Sequence, residues 1–186
     1  MKATREKFRI AAFGFRSIPL REGCAGADKF AMELFPRLVL RGHRVIAYNR
    51  LYPGQAPLGN EYKGIRLFYI KTIRQKGFDT LWHSFKCTMH IIFRNTGDIV
   101  HIQNGGNSLW AFFLRLAGKK VIISQDGIDW NRSKWPWYAK AFLKLSSFLT
   151  AYFPHRVIFD NIFARELFEK FFKKKIRFYP FWQRCS

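Results

Sequence analysis

Several stretches of this chain have the residue types and spacing for chemistry. The longest is Gly14-Phe15-Arg16-Ser17-Ile18-Pro19-Leu20-Arg21-Glu22-Gly23-Cys24-Ala25-Gly26-Ala27-Asp28-Lys29. Glycines let a backbone approach a ligand closely, and a helix opening after such a loop offers free N–H groups to an anion. Arg16, Arg21 and Lys29 add positive charge nearby. The spacing matches neither GxGxxG nor GxxxxGK[ST], so no nucleotide motif is assigned, and a plain structural turn stands beside the anion site as a reading. Asn104-Gly105-Gly106-Asn107 can likewise admit a ligand or make a tight strand-to-helix turn, and the turn is the simpler account. In Gln125-Asp126-Gly127-Ile128-Asp129-Trp130, a carboxylate at a strand's carboxyl end can accept a proton or hold a hydroxyl, which makes Asp126 the candidate catalytic or acceptor contact. Asp126 and Asp129 can equally cap a turn, and two carboxylates are too few for a metal site. His83, Cys87 and His90 share one face of a helix at metal-ligand spacing. Structural zinc needs four ligands, and that face lies opposite the apolar stripe, so it is expected to be solvated and no metal is assigned.

These residues need elements to hold them. Near-continuous apolar runs predict strands over 8–15, 44–49, 65–70, 98–103, 120–125, 156–160 and 176–179. Runs of that kind belong to strands buried on both faces, as in a parallel sheet covered by helices. Helices are expected over 27–41, from Phe78 onward, and over 109–117, 137–153 and 162–172. In the second, Leu81, Trp82, Phe85, Met89, Ile92 and Phe93 form the stripe expected to face the core, with Asp79 as cap and Gly97 past the end. Ser108 is the expected cap of the third, and Pro136 and Pro154 bracket the fourth. Pro36 is expected to kink the first. The alternation of strands and helices predicts an open, mostly parallel, Rossmann-like α/β sheet of about seven strands with helices on both faces. Ligands bind outside the carboxyl ends of such strands, where the glycine-rich and Asp126 loops fall.

The chain has 186 residues, with 33 Lys+Arg against 12 Asp+Glu, a formal net charge of +21. An equal share of that excess falls in each third, so the charge belongs to the fold and not to an appended arm. Such a field attracts nucleic acid, anionic lipid or a phosphorylated substrate. A hydrophobic fraction of 48% excludes a disordered basic tail. Three scattered cysteines, Cys24, Cys87 and Cys185, argue against a disulfide-framed secreted domain. No run is expected to span a membrane, and no signal peptide is read at the N-terminus. Cations interleaved with aromatics, as in Phe171-Phe172-Lys173-Lys174-Lys175 and around Lys140 and Lys144, suit an anionic membrane surface or single-stranded nucleic acid; a solvated face over an aromatic core is the plainer account.

The order of these motifs resembles the N-terminal half of family 4 glycosyltransferases, nearest their rhamnosyltransferase-like branch. The resemblance is carried by Gly14, Ile18-Pro19, Gly23-Cys24-Ala25-Gly26-Ala27-Asp28-Lys29 and Arg41-Gly42-His43-Arg44-Val45. It extends through 98–110, Asp126-Gly127-Ile128-Asp129-Trp130 and Arg156-Val157-Ile158-Phe159-Asp160-Asn161. It implies one Rossmann-like half of the two-domain GT-B architecture, over residues 1–180, with 181–186 opening the interdomain linker. It implies transfer of a sugar from a nucleotide-sugar donor to a lipid-linked or polysaccharide acceptor in cell-envelope polysaccharide synthesis, with no resident cofactor or metal. By resemblance, Gly23, Gly26 and Asp28 belong to the cleft loop, and Asp126 takes a position near the acceptor where many relatives have His. The donor-binding half, with its paired glutamates, is not found in this sequence. The chain is therefore expected to bind acceptor, to be inactive alone and to take a separate donor-binding half as partner. It is expected to lie in the cytoplasm, peripheral at the inner face of the cell membrane. A non-catalytic basic module on an anionic membrane is the alternative; no nucleic-acid-binding signature supports specific nucleic acid.

Overall fold

The computed structural model describes residues 6–21, 26–75, 78–125, 136–159 and 162–173. In chain order the elements are β1 (Arg9–Phe13), α1 (Gly26–Leu40), β2 (Arg44–Leu51), β3 (Glu61–Tyr62), β4 (Ile65–Lys71), α2 (Phe78–Arg94) and β5 (Ile99–Gln103). A 3-10 turn at Gly105–Asn107 leads into α3 (Leu109–Leu116), β6 (Lys120–Gln125), α4 (Trp137–Tyr152), β7 (Arg156–Phe159) and α5 (Ile162–Phe172). The strands form one seven-stranded sheet in the order β3-β4-β2-β1-β5-β6-β7. The β1/β2, β2/β4 and β6/β7 pairs are parallel. This is the expected open α/β sheet. The expected strand at 176–179 lies outside the described residues. The seventh strand is instead β3, antiparallel to β4. Its two residues carry no apolar run, so periodicity is blind to it. The turn makes it: Lys63 and Gly64 both take positive φ, 47° and 77°, the geometry that joins two strands through two residues.

The chain divides into two compact units, Met1–Val100 and His101–Ser186. In the first, β1 is buried along nearly its whole length, as a strand covered on both faces must be. One face packs Ile10, Ala12, Val45, Ala47, Ile65 and Leu67 against Ala31 and Phe35 of α1. Burying a side chain such as Phe35 contributes about 1.5–3 kcal/mol, so this layer outweighs the surface ion pairs. Arg9 and Asp98, for example, meet at 2.6 Å but are each nearly half exposed, which leaves them worth about 1 kcal/mol or less. Helix α1 runs unbroken through Pro36 to Leu40. In the second unit, Ala151, Val157, Phe159 and Phe168 form a core cluster between α4, β7 and α5. Among the described residues, no helix is long and apolar enough to cross a membrane.

Helix α2 overturns an expectation. The face expected to be solvated is the buried one: His83, Ser84, Cys87, Thr88 and Ile91 are all inside. Much of the stripe expected to face the core lies outside, with Trp82, Phe85 and Phe93 exposed alongside Phe78. Small side chains explain the choice, because Ser84, Cys87 and Thr88 let the helix axis approach the sheet where bulky aromatics would hold it off. His83 reaches the backbone of Asn49, and its Nε2 lies 3.5 Å from Cys87 Sγ. Tyr48, also buried, bonds His90 Nδ1 at 2.9 Å and Thr96 Oγ1 at 2.8 Å.

Burial, reinforced by Arg50, lowers the His83 pKa to about 3. Below its ordinary value of 6.5 the unfolded chain takes up a proton that the folded chain refuses. Stability therefore falls as pH drops from 6.5 toward 3, by up to about 1.4 kcal/mol per pH unit from this residue. Denaturant unfolding at successive pH values between 6.5 and 5 should show this slope, and His83→Asn should remove that share of it.

Candidate functional site

In the first unit the site elements gather past the carboxyl ends of β1, β2 and β4. The loop after β1 leaves through Gly14 at φ 104°, a conformation that glycine adopts without strain. It then folds onto its own side chains. The buried Asp28 carboxylate accepts hydrogen bonds from the backbone N–H of Arg16 at 2.5 Å and of Ser17 at 3.3 Å. Asn49, buried at the end of β2, pairs with the Ile18 backbone through both of its amide atoms, at 3.0 and 2.7 Å. The Arg16 carbonyl in turn accepts from Arg50 N at 3.0 Å. Asp28 therefore shapes the loop from within. Arg16 and Lys29 are exposed, and the Arg21 guanidinium donates to the Ala56 carbonyl. What this loop presents outward is positive charge. A Cβ on Gly26 would meet only open space, so nothing in its surroundings demands glycine there. Gly23 lies outside the described residues.

Arg50, Tyr52 and Asp79 form a connected polar group at this edge, of which the sequence pointed only to Asp79, as a helix cap. Arg50 is buried, and its Nη1 donates to Asp79 Oδ2 at 3.0 Å. The Tyr52 hydroxyl donates to the same oxygen at 2.8 Å. Burial, first of several causes, pushes the Tyr52 pKa up, so this hydroxyl stays protonated as a donor. Arg50 Nε has no hydrogen-bond partner among the described residues. Beside this group an open cleft of about 330 Å³ is lined by Tyr52, Gln55, Arg74, Gln75 and Asp79. The Arg74 guanidinium lies 5.7 Å from the centre of the Tyr52 ring. An aromatic face, two amides and fixed charges suit a hydroxyl-rich ligand. The available signal was Asn49-Arg50, two polar residues closing an otherwise apolar strand.

In the second unit, the Asn104 loop is a turn built to tight tolerance. Asn104 sits at φ 75°, and its Oδ1 accepts from Gly106 N at 2.9 Å. Asn107, fully buried, donates from Nδ2 to the Gln103 carbonyl at 3.0 Å. Ser108 makes no side-chain cap for α3; its hydroxyl reaches the Gly105 carbonyl and, at 2.5 Å, that of Ser146. A Cβ on Gly105 would fall 1.7 Å from Gln125 Oε1, so a side chain there would have to displace the Gln125 amide. His101 and Ser124 meet at 2.7 Å between their Nε2 and Oγ, and burial lowers the His101 pKa to about 4, keeping the ring neutral. Asp126 and Asp129, which follow β6 directly, lie outside the described residues. Among the described residues, no cluster of His, Cys, Asp and Glu is arranged to hold a metal ion.

Two substitutions read out these arrangements. Gly105→Ala should cost about 1–3 kcal/mol, because the buried Gln125 amide would have to move to admit the methyl group. The Gly105→Ala/Gln125→Ala double variant should be at least about 1 kcal/mol more stable than the sum of the single costs, in a denaturation cycle. Asp79→Ala strands the buried Arg50 charge and should cost about 3 kcal/mol or more, whereas Arg50→Met with Asp79→Leu should recover most of that loss.

No family model matches this chain, and no curated protein matches it. Solved structures do. The sucrose-phosphate synthase of Thermosynechococcus elongatus superposes with a TM-score of 0.69 at 15% identity, over 92% of this chain and 47% of that one. UGT89C1 of Arabidopsis thaliana, complexed with UDP-L-rhamnose, superposes at 0.57 and 10% identity, over 95% of this chain and 49% of that one. The same protein complexed with quercetin gives 0.56 at 9% identity, over 94% of this chain and 50% of that one. The chain thus spans about half the length of each structure it matches. Its fold is that of one Rossmann-like half of a GT-B glycosyltransferase.

Proposed function

We propose that this chain is the acceptor-binding half of a retaining glycosyltransferase of family 4 type, nearest the rhamnosyltransferase-like branch. It would serve transfer of a sugar from a nucleotide-sugar donor to a lipid-linked or polysaccharide acceptor of the cell envelope, at the inner face of the membrane. The observation that carries this reading is the match of 92% of the chain to less than half of a sugar-transferring enzyme. The family resemblance of the motif order in the sequence supports it independently.

In this reading the acceptor occupies the cleft beside Tyr52, Gln55, Arg74, Gln75 and Asp79. Tyr52 offers a ring face to a sugar, and the amides and Arg74 offer donors to its hydroxyl or acidic groups. The Arg50–Asp79 pair holds Tyr52 in place. Asp126 is assigned, by resemblance, the contact to the attacking acceptor hydroxyl. The loop carrying Arg16, Arg21 and Lys29 supplies positive charge on the side where donor phosphates would come. Stabilising the departing diphosphate is the largest demand of such a transfer, and it falls mainly to a donor-binding half, on the same or another polypeptide.

The purified 186-residue chain should neither transfer nor hydrolyse the sugar of any nucleotide sugar, read by release of nucleoside diphosphate. Acceptor oligosaccharides should still give saturation-transfer NMR signals with it, and Arg74→Ala should weaken them roughly tenfold, the loss of one charge-assisted contact. Turnover by the chain alone would overturn the assignment as a half-site. An absence of glycan binding at millimolar concentration would overturn the acceptor role.

A further inference from the structure

We infer that the outward face of α2 is a docking surface for an anionic lipid bilayer. Phe78, Trp82, Phe85, Met89 and Phe93 recur every three or four residues, which places them on one side of the helix along about 22 Å of its length. Phe78, Trp82, Phe85 and Phe93 are exposed, Phe93 at 80%. Three of the rings run together, Phe78 and Trp82 stacking with centroids 6.3 Å apart and Trp82 and Phe85 at 5.7 Å, and Phe93 extends the ridge two turns beyond Phe85. This is the stripe of highest apolar content in the helix, and none of its residues is among the fully buried ones of the unit.

The surroundings of the ridge select its occupant. Lys86 Nζ sits 4.9 Å from the centre of the Trp82 ring and donates to the Lys71 carbonyl, so one ammonium is fixed at the edge of the ridge. Lys71 and Arg94, both exposed, add positive charge nearby. The single carboxylate of the helix, Asp79, is turned away and bound to Arg50. An apolar ridge edged by cations, with no exposed acid in its helix, is the composition that lies in the headgroup region of anionic membranes. A second copy of the chain fits badly, because each copy carries +21. Single-stranded nucleic acid calls for a basic groove with aromatics inside it, and a helix ridge is convex. The inference does not rest on the sugar-transfer reading, since lipid binding is measured without donor or acceptor.

The test is partition of the full chain onto vesicles of phosphatidylcholine, and of a roughly two-to-one mixture of phosphatidylcholine and phosphatidylglycerol, at low and high salt. The chain should bind the mixed vesicles and not the neutral ones, and salt should weaken the binding. Phe85→Ser/Phe93→Ser keeps the net charge; Phe93 is 80% exposed while Phe85 is partly covered and stacks on Trp82, so circular dichroism should stay unchanged and the denaturation midpoint should fall only modestly. This variant should lose roughly tenfold or more in partition. Leu40→Ser, which removes an apolar side chain 86% exposed at the end of α1, should change it less than about twofold. Lys86→Gln should weaken binding at low salt alone. Undiminished partition of the double variant would overturn the proposal in favour of diffuse attraction of a polycation. Equal binding to neutral vesicles would overturn the anionic selectivity. A dimer that the double variant abolishes, in a chain that binds no vesicle, would assign the ridge to a second copy and overturn it too.

Discussion

Much of the first unit depends on the ion pair between Arg50 and Asp79. The two groups meet at 3.0 Å, with side chains only 7% and 16% exposed, so neither charge can be left alone. Arg50 ends the buried part of β2, and Asp79 lies in the first turn of α2. Holding Asp79 against the sheet sets the rotation of the whole helix. Positions one and two turns further on, His83 and Cys87, are then carried inward with it. The aromatic residues on the opposite side have no choice but to face out. The same pair orients the Tyr52 hydroxyl, and its Asp79 lines the neighbouring cleft. This electrostatic contact, together with the small side chains of Ser84, Cys87 and Thr88, thus sets which face of α2 is core and which is surface, and it shapes the cleft.

The two loops that look most like ligand sites are held by a different device. Asp28, Asn49, Asn104 and Asn107 each turn a polar side chain onto nearby backbone groups. Buried N–H and carbonyl groups left unpaired would cost more than these side chains lose in freedom. The described parts of these loops, 14–21 and 104–107, therefore have defined shapes before any ligand arrives. Preorganisation of this kind lowers the cost of binding, because little remains to be ordered. In the Asn104 loop the tolerance is tight enough that Gly105 is the only residue that fits beside Gln125 without displacing it.

The charge of +21 finds a place in this arrangement. Among the described residues, Asp28 and Asp79 are drawn into the interior, and Asp98 is matched by Arg9 at the surface. Cations are left over at the surface. They surround a fold shared with halves of glycosyltransferases, where the proposed function would use them on phosphate groups, and they edge the apolar ridge proposed to meet a charged bilayer. Both roles use the same long-range attraction, and both weaken with salt.

The fold was legible in the sequence because it is written in local pattern. Apolar runs of strand length, broken by helical stretches, specify a mostly parallel sheet, and six of the expected strands and the five expected helices follow one another in the structure as the runs predict. Two of the candidate loops were legible for the same reason, since glycines and polar residues interrupt the runs at strand ends. Three features were not. The edge strand β3 depends on a Lys63-Gly64 turn and has no hydrophobic signature. The partnership of Arg50 with Asp79 links residues on different elements, and no spacing within either element announces it. The orientation of α2 ran against its own apolar stripe. A helix alone presents its greasiest side as the side to bury. Which side is buried depends also on what the sheet can accommodate, and here a close approach by small residues and a buried ion pair outweighed the larger apolar area. Sequence by itself thus determined the helices, the strands with apolar runs, their order and the charge. Only the tertiary structure decided the phase of α2, because that phase comes from contacts between residues distant in the chain.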